Sequence, residues 1–276
     1  MAKKPPFARG KTLCIFCGGS PVTKEHVFGR WIQKYIVAND ERTKHMLLRP
    51  GLLAMKPGKL HLRQGGAVST QLRVVCGPCN HGWMRETQEA AARHLIPLLA
   101  GDWTAALEPD ACSAIASWFT LFSMVSEFQD SATIGVTQAQ RTEFMATRTP
   151  PSGWTIMMGR YFDSDPRKNA GVNHFGLKVY EQGARARMPE GFIPESNTQI
   201  TAVAVGRIVL YGVSTSSGET IDDFGLFSRR FDLPIIWPNN VATYVRSPVL
   251  IHNFSSWSEL SNDFMRRHNV PFMGHP

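Results

Sequence analysis

Two Cys-x-x-Cys pairs, Cys14 with Cys17 in "CIFC" and Cys76 with Cys79 in "CGPC", constrain this 276-residue chain more than anything else in it. Each spacing lets two thiolates of one turn grip the same tetrahedral ion, and two such turns make a closed four-sulfur site of the kind zinc uses structurally. The pairs stand 58 residues apart, so a shared site requires inserted structure between them. The alternatives are two redox pairs or unrelated buried thiols. Cys112, alone in an apolar run, reads as a small core residue.

A zinc ion with four sulfur ligands does no chemistry on a substrate; it ties two segments together. One segment leads into "VTKEHVFGRW", with Glu25 and His26 side by side, and the other into "CNHGW". The clamp therefore gathers a carboxylate, an imidazole, the Asn80 amide and His81 around one point.

With "CIFCGG", "EHVF" and "LRVVCGPCN" on the page, residues 12 to 95 resemble the HNH endonucleases, which have a ββα-metal core and a four-cysteine zinc site. The combination "TKEHVFGRW" and "CNHGWM" is similar to a bacterial and phage subgroup in which the tryptophans recur. The resemblance implies that His26 is the general base that activates water, and that Glu25 and Asn80 hold a catalytic Mg²⁺ or Mn²⁺, with His81 an adjacent alternative ligand. It implies that Gln71, where the family has Asn, braces the segment bearing the base. It further implies cleavage of DNA, most readily double-stranded, leaving a 3′-hydroxyl and a 5′-phosphate. The chain departs from the pattern in three places: Glu25 replaces Asp or His, Gln71 replaces Asn, and Met84 stands where some members carry a further histidine.

Charge agrees with a polyanionic partner. The net +8 is uneven: residues 1 to 100 hold 16 Lys or Arg against 5 Asp or Glu, and residues 101 to 276 hold 14 against 17. An excess of that size attracts nucleic acid, although a solvated basic face has the same composition. Lys24, Arg30, Arg73 and Arg85 lie near the motif and are candidates for phosphate contacts or ordinary solvated side chains. Trp31 and Trp83 could stack on bases, but a tryptophan beside a small zinc core more often supplies apolar area.

The pattern divides the chain at about residue 100. Residues 1–100 form the expected zinc-stapled ββα-metal domain, interrupted by the loop signals "KPGK" and "QGG" and closing on a helix that Pro97 should kink or end. Residues 101–276 read as an α+β unit, with helices over about 110–147 and strands over about 153–250. "EPD" and Thr137 are helix-start signals, while "WTIMMGRYF", "HFGLKVY" and "TAVAVGRIVLYGV" favour strands. The apolar run from Ala111 to Ser126 is short for a membrane span and reads as a buried helix. The basic N-terminus lacks an apolar h-region, so the expectation is a cytoplasmic protein without a membrane segment.

Two functions from different classes remain on this reading. One is a metal-dependent HNH nuclease whose second unit positions the target, binds a ligand or pairs the chain with another copy of itself. The other is a catalytically inactive, zinc-stabilised nucleic-acid-binding or regulatory protein. A thiol-disulfide oxidoreductase would need reactive rather than metal-bound cysteines. No Gly-rich loop ending in Lys-Ser or Lys-Thr supports nucleotide hydrolysis. His174, His252 and His268 are isolated in sequence and read as structural or exposed.

Overall fold

A computed structural model describes residues 12–36, 43–45, 61–63, 70–129, 133–165, 168–177, 196–216, 228–239, 241–243, 245 and 253. The fold is α+β. Strand β1 (Val22–His26) pairs antiparallel with β4 (Gln71–Cys76), and between them in sequence lie helix α1 (Arg30–Gln33) and a short antiparallel pair, β2 (Thr43–His45) with β3 (His61–Arg63). That pair supplies part of the structure required between the cysteine turns. The loop signals "KPGK" and "QGG", with His252 and His268, fall outside the described residues.

Directly after β4 the chain turns into α2 (Gly77–Cys79), a wide π-type turn over Asn80–Met84, and α3 (Arg85–Ala100). Gly82 breaks the helical geometry, with φ −94° and ψ −117°. Pro97 does not end α3, which runs on to Ala100 and closes at Gly101 in the left-handed conformation. Pro97 supplies no N–H to the helix, and its carbonyl takes part in the helix end, accepting the Asp102 N–H at 2.9 Å.

The apolar run becomes α4 (Pro109–Ser126), starting at the "EPD" signal. With the short 3₁₀ turn Glu127–Gln129 it is long and apolar enough to cross a membrane, but most of it is buried inside the protein. Helix α5 (Gln138–Thr147) begins at Thr137 with a reciprocal capping box: the Thr137 hydroxyl accepts from Gln140 N, and the Gln140 side chain accepts from Thr137 N.

Strands β5 (Trp154–Arg160), β6 (Ala170–Leu177), β7 (Thr198–Val205), β8 (Ile208–Thr215) and β9 (Ile235–Trp237) form one antiparallel sheet, in the order β6-β7-β8-β5-β9. The single β-favouring run "TAVAVGRIVLYGV" is thus a hairpin, turned by Gly206 at φ +57° and Arg207.

Alternation along the strands divides the sheet into two faces. Ile156, Met158, Val203, Val205, Ile208 and Leu210 join a core shared with α3, α4 and the cysteine turns, whereas Met157, Ile200, Ala202, Val209 and Tyr211 form a second cluster behind. Helix α4 lies at the centre of the shared core. Its Phe119 ring occupies the notch over Gly212, where a Cβ would come within 2.2 Å of Cε1. Phe28 meets Phe122 with ring centroids 5.3 Å apart, and Trp31 meets Trp118 at 5.8 Å. One continuous apolar cluster therefore crosses residue 100.

Candidate metal centre and adjoining polar pocket

The two cysteine turns meet because β1 and β4 pair. Val22 lies opposite Cys76, and Ile15 N donates to Val74 O at 2.9 Å, so the first turn is fastened to the strand that delivers the second. The sulfurs of Cys14, Cys17, Cys76 and Cys79 all lie within 4.8 Å of one another, and those of Cys17 and Cys76 are 3.5 Å apart. Zn–S bonds of ~2.3 Å in a tetrahedron place sulfurs about 3.8 Å apart, so this set can hold an ion such as zinc with little adjustment.

None of the four is in a disulfide. Gly19 makes room for them: its N–H donates to Cys17 Sγ at 3.3 Å, and a Cβ there would stand 3.1 Å from the same sulfur. Burial raises Cys79, against the pull of the Trp83 indole beside it, and burial likewise raises Cys76. Burial also opposes ionisation of Cys14, yet backbone hydrogen bonds from Cys17, Cys76 and Phe16 bring it down to about 7. A cation in their midst would favour the thiolate form of all four.

The aromatic residues beneath this cluster are structural. Trp83 packs edge-on against Phe16 at 4.9 Å and Phe144 at 5.7 Å, with the Arg148 guanidinium 4.5 Å above its ring. Trp31 packs on Trp118. Trp83 is buried and Trp31 is half-buried against this partner. Cys112 is buried in α4, as a core residue should be.

Beyond the sulfurs, β1 carries Glu25 and His26 toward α3. His26 lies opposite Gln71, whose amide Nε2 donates to His26 Nε2 at 2.6 Å. Asn80 leaves the helix just after Cys79, and its amide donates to Thr23 Oγ1 at 3.3 Å and also supports the Glu25 carboxylate. Gln88 donates to Glu25 Oε1 at 3.4 Å. Burial raises the Glu25 pKa, with the Asn80 and Gln88 amides opposing it. Burial and the nearby Arg30 charge both push His26 below the usual histidine value.

Glu25, His26 and Gln88 form the polar side of a half-open pocket with about 20 Å³ of room, which suits a water or a small ion. Met84 with Trp118, Leu121, Phe122 and Val125 of α4 form the apolar side.

Glu25, His26, Asn80 and Gln71 are thus neighbours. His81 is exposed, and no hydrogen bond or ion pair ties it to them among the described residues. Lys24, Arg30 and Arg73 are exposed; a bulge places Arg73 and Val74 opposite Lys24, so two cations share one stretch of the ribbon. Arg85 is exposed but paired with Glu89 at 2.7 Å. Sequence reasoning missed Gln88 and the α4 wall. Gln88 was within reach of it, because Asn80, Met84 and Gln88 repeat every four residues and share one helix face.

No protein-family model, no curated protein and no solved structure matches the chain. Its functional reading rests on its own residues.

Proposed function

We propose that the chain is a metal-dependent endonuclease of the HNH type that hydrolyses phosphodiester bonds in DNA. The observation that carries this reading is the placement of Gln71 against His26 across the β1–β4 pair, with Glu25 and Asn80 adjacent and the sulfur cluster behind. Imidazole, carboxylate and amide stand where a base and an ion site would have to be neighbours.

For His26 to act as base, the Gln71 amide turns over so that its oxygen accepts the Nε2 proton. Nδ1 then carries the free lone pair that takes a proton from water. Asn80 likewise turns its amide oxygen toward Glu25, giving two oxygen donors, a set that suits Mg²⁺ or Mn²⁺. The divalent ion would neutralise charge that builds on the phosphate and leaving oxygen. On this reading Lys24, Arg30 and Arg73 hold the flanking phosphates, and the four cysteines would keep the two halves of the site together by binding zinc. Residues 101–276 contribute the α4 wall, and on this reading they restrain or position the target.

One observation favours the second reading, a catalytically inactive zinc-stabilised nucleic-acid-binding or regulatory protein. Glu25 is already served by two amides and largely withdrawn from water, which leaves fewer lone pairs for an ion. Plasmid nicking separates the two. With Mg²⁺ or Mn²⁺ the wild type should nick, and His26→Ala should lose roughly 100-fold or more of the rate while zinc content and DNA binding persist. Intact plasmid across a range of divalent ions would leave the binding protein as the better account.

A further inference from the structure

Away from the polar pocket, three pairs of a cation and an aromatic ring come together. The guanidinium carbon of Arg207 lies 4.6 Å from the Phe162 ring centre, that of Arg160 lies 5.3 Å from Trp103, and Lys34 Nζ lies 5.0 Å from Tyr35. They come from the end of α1, the chain just after α3, the end of β5 and the β7–β8 turn.

Backbone bonds join these segments. Tyr161 N donates to Arg207 O at 2.8 Å, Gly206 N to Asn169 O at 2.9 Å, and Asn169 Nδ2 to Tyr35 O at 2.9 Å. A Cβ on Gly206 would stand 3.6 Å from Tyr35 Cβ, and one on Gly101 would stand 3.9 Å from Arg207 Cγ. Arg207 thus lies between Phe162 on one side and the segment bearing Trp103 on the other.

Arg207, Arg160 and Lys34 have no carboxylate within ion-pair distance among the described residues. Three acids also belong to these segments, Asp102, Asp163 and Asp165; Asp102 accepts from Thr104 N and Oγ1, and Asp163 accepts from Asp165 N. Phe162 is 48% exposed. Trp103 and Tyr35 are half-buried against the core, so Phe162 is the open ring of this face among the described residues. An open ring set among cations that have no ion pair among the described residues has the composition of a surface on which a base stacks and phosphates are neutralised.

We propose that this face binds a single-stranded segment of DNA, with a base stacking on Phe162 and phosphates held by Arg207, Arg160 and Lys34. A duplex keeps its base faces covered, so aromatic stacking selects the unpaired strand. The face is continuous with the pocket: α1 begins at Arg30, whose charge acts on His26, and leads to Lys34 and Tyr35 at its other end. The inference rests on the DNA reading above but not on cleavage.

The test is fluorescence anisotropy of the full zinc-loaded chain, without added divalent ions, on labelled dT20, on a 20-bp duplex and on polyglutamate. Phe162→Ala should weaken dT20 binding about tenfold and duplex binding less than twofold. Arg207→Ala should reduce the slope of log K against log salt on dT20 by about 0.7. Both side chains are exposed, so thermal melts should match the wild type. The proposal is overturned if the wild type does not bind dT20, if Phe162→Ala leaves dT20 binding unchanged or weakens both DNAs equally, or if polyglutamate binds as tightly as dT20. Those results leave the nuclease reading where plasmid nicking puts it, and a failure to nick leaves this face standing.

Discussion

Glu25 with His26 and Glu127 with His174 place the same side-chain types in contrasting surroundings. Glu25 and His26 line a half-open pocket, and their partners are neutral amides that can turn over. Glu127 is fully buried at the end of α4. Its carboxylate accepts from Gly135 N at 3.0 Å and Val136 N at 3.2 Å and is paired with the buried Arg141. His174 bridges Thr133 O and Thr201 Oγ1, and Thr133 in turn donates to Glu127 O. Chemistry needs lone pairs left over for an outside partner. The first group has some of its own taken up by amides but lines an open pocket; the second spends its own on joining α4, α5 and β6.

The largest effect expected from this contrast is at the sulfurs, which hold the first group in place. A strong chelator should lower the melting temperature sharply and release one zinc per chain, because a structural four-cysteine site contributes on the order of 10 kcal/mol in isolated peptides. If the melt is indifferent to chelation, the first group is held by packing alone, and the contrast loses its basis.

Next comes Arg141→Ala, which strands Glu127 in the core. Removing one partner of a buried pair costs about 3–5 kcal/mol, read by urea denaturation. A loss below about 1 kcal/mol would mean that the second group is as accessible to water as the first.

The third effect is pH-dependent. Burial holds the His174 pKa down to about 4, so the folded state keeps the ring neutral while the unfolded chain protonates it near 6.5. Stability from this source is complete above pH 6.5 and is lost as pH falls toward 4, by no more than about 3.4 kcal/mol. Glu127, raised by burial, acts in the opposite sense. Comparing denaturation of wild type and His174→Gln between pH 7 and 4 isolates the histidine: the wild type should show the steeper decline.

The smallest stability effect belongs to Gln71→Ala. Its side chain is exposed, so unfolding should change by no more than about 0.5 kcal/mol, while nicking should fall at least tenfold if it orients the base. A large stability loss with unchanged nicking would make Gln71 another structural amide like those of the second group.

Much of the first group was legible because its signals are local. A Cys-x-x-Cys pair declares its turn within four residues, and Asn80 follows Cys79 directly. The helix starts at "EPD" and Thr137 were legible for the same reason, since caps act within one turn. The strand order β6-β7-β8-β5-β9 was not, because pairing depends on residues as far apart as Ile156 and Trp237, which no short pattern records. The buried network escaped as well: His174 is isolated in sequence, and its partners Thr133 and Thr201 carry no distinctive spacing. Pro97 does not stop the helix at its own position, and the end comes one turn later at Gly101.

Phe119 sits in the Gly212 notch like a peg in a socket, while Leu121 and Phe122, less than a turn further along the same rigid helix, stand against Glu25 and His26. The sheet therefore acts as a gauge for the width of the polar pocket. A displacement of β8 would reach the pocket through α4 and its apolar wall, not through the carboxylate or the imidazole.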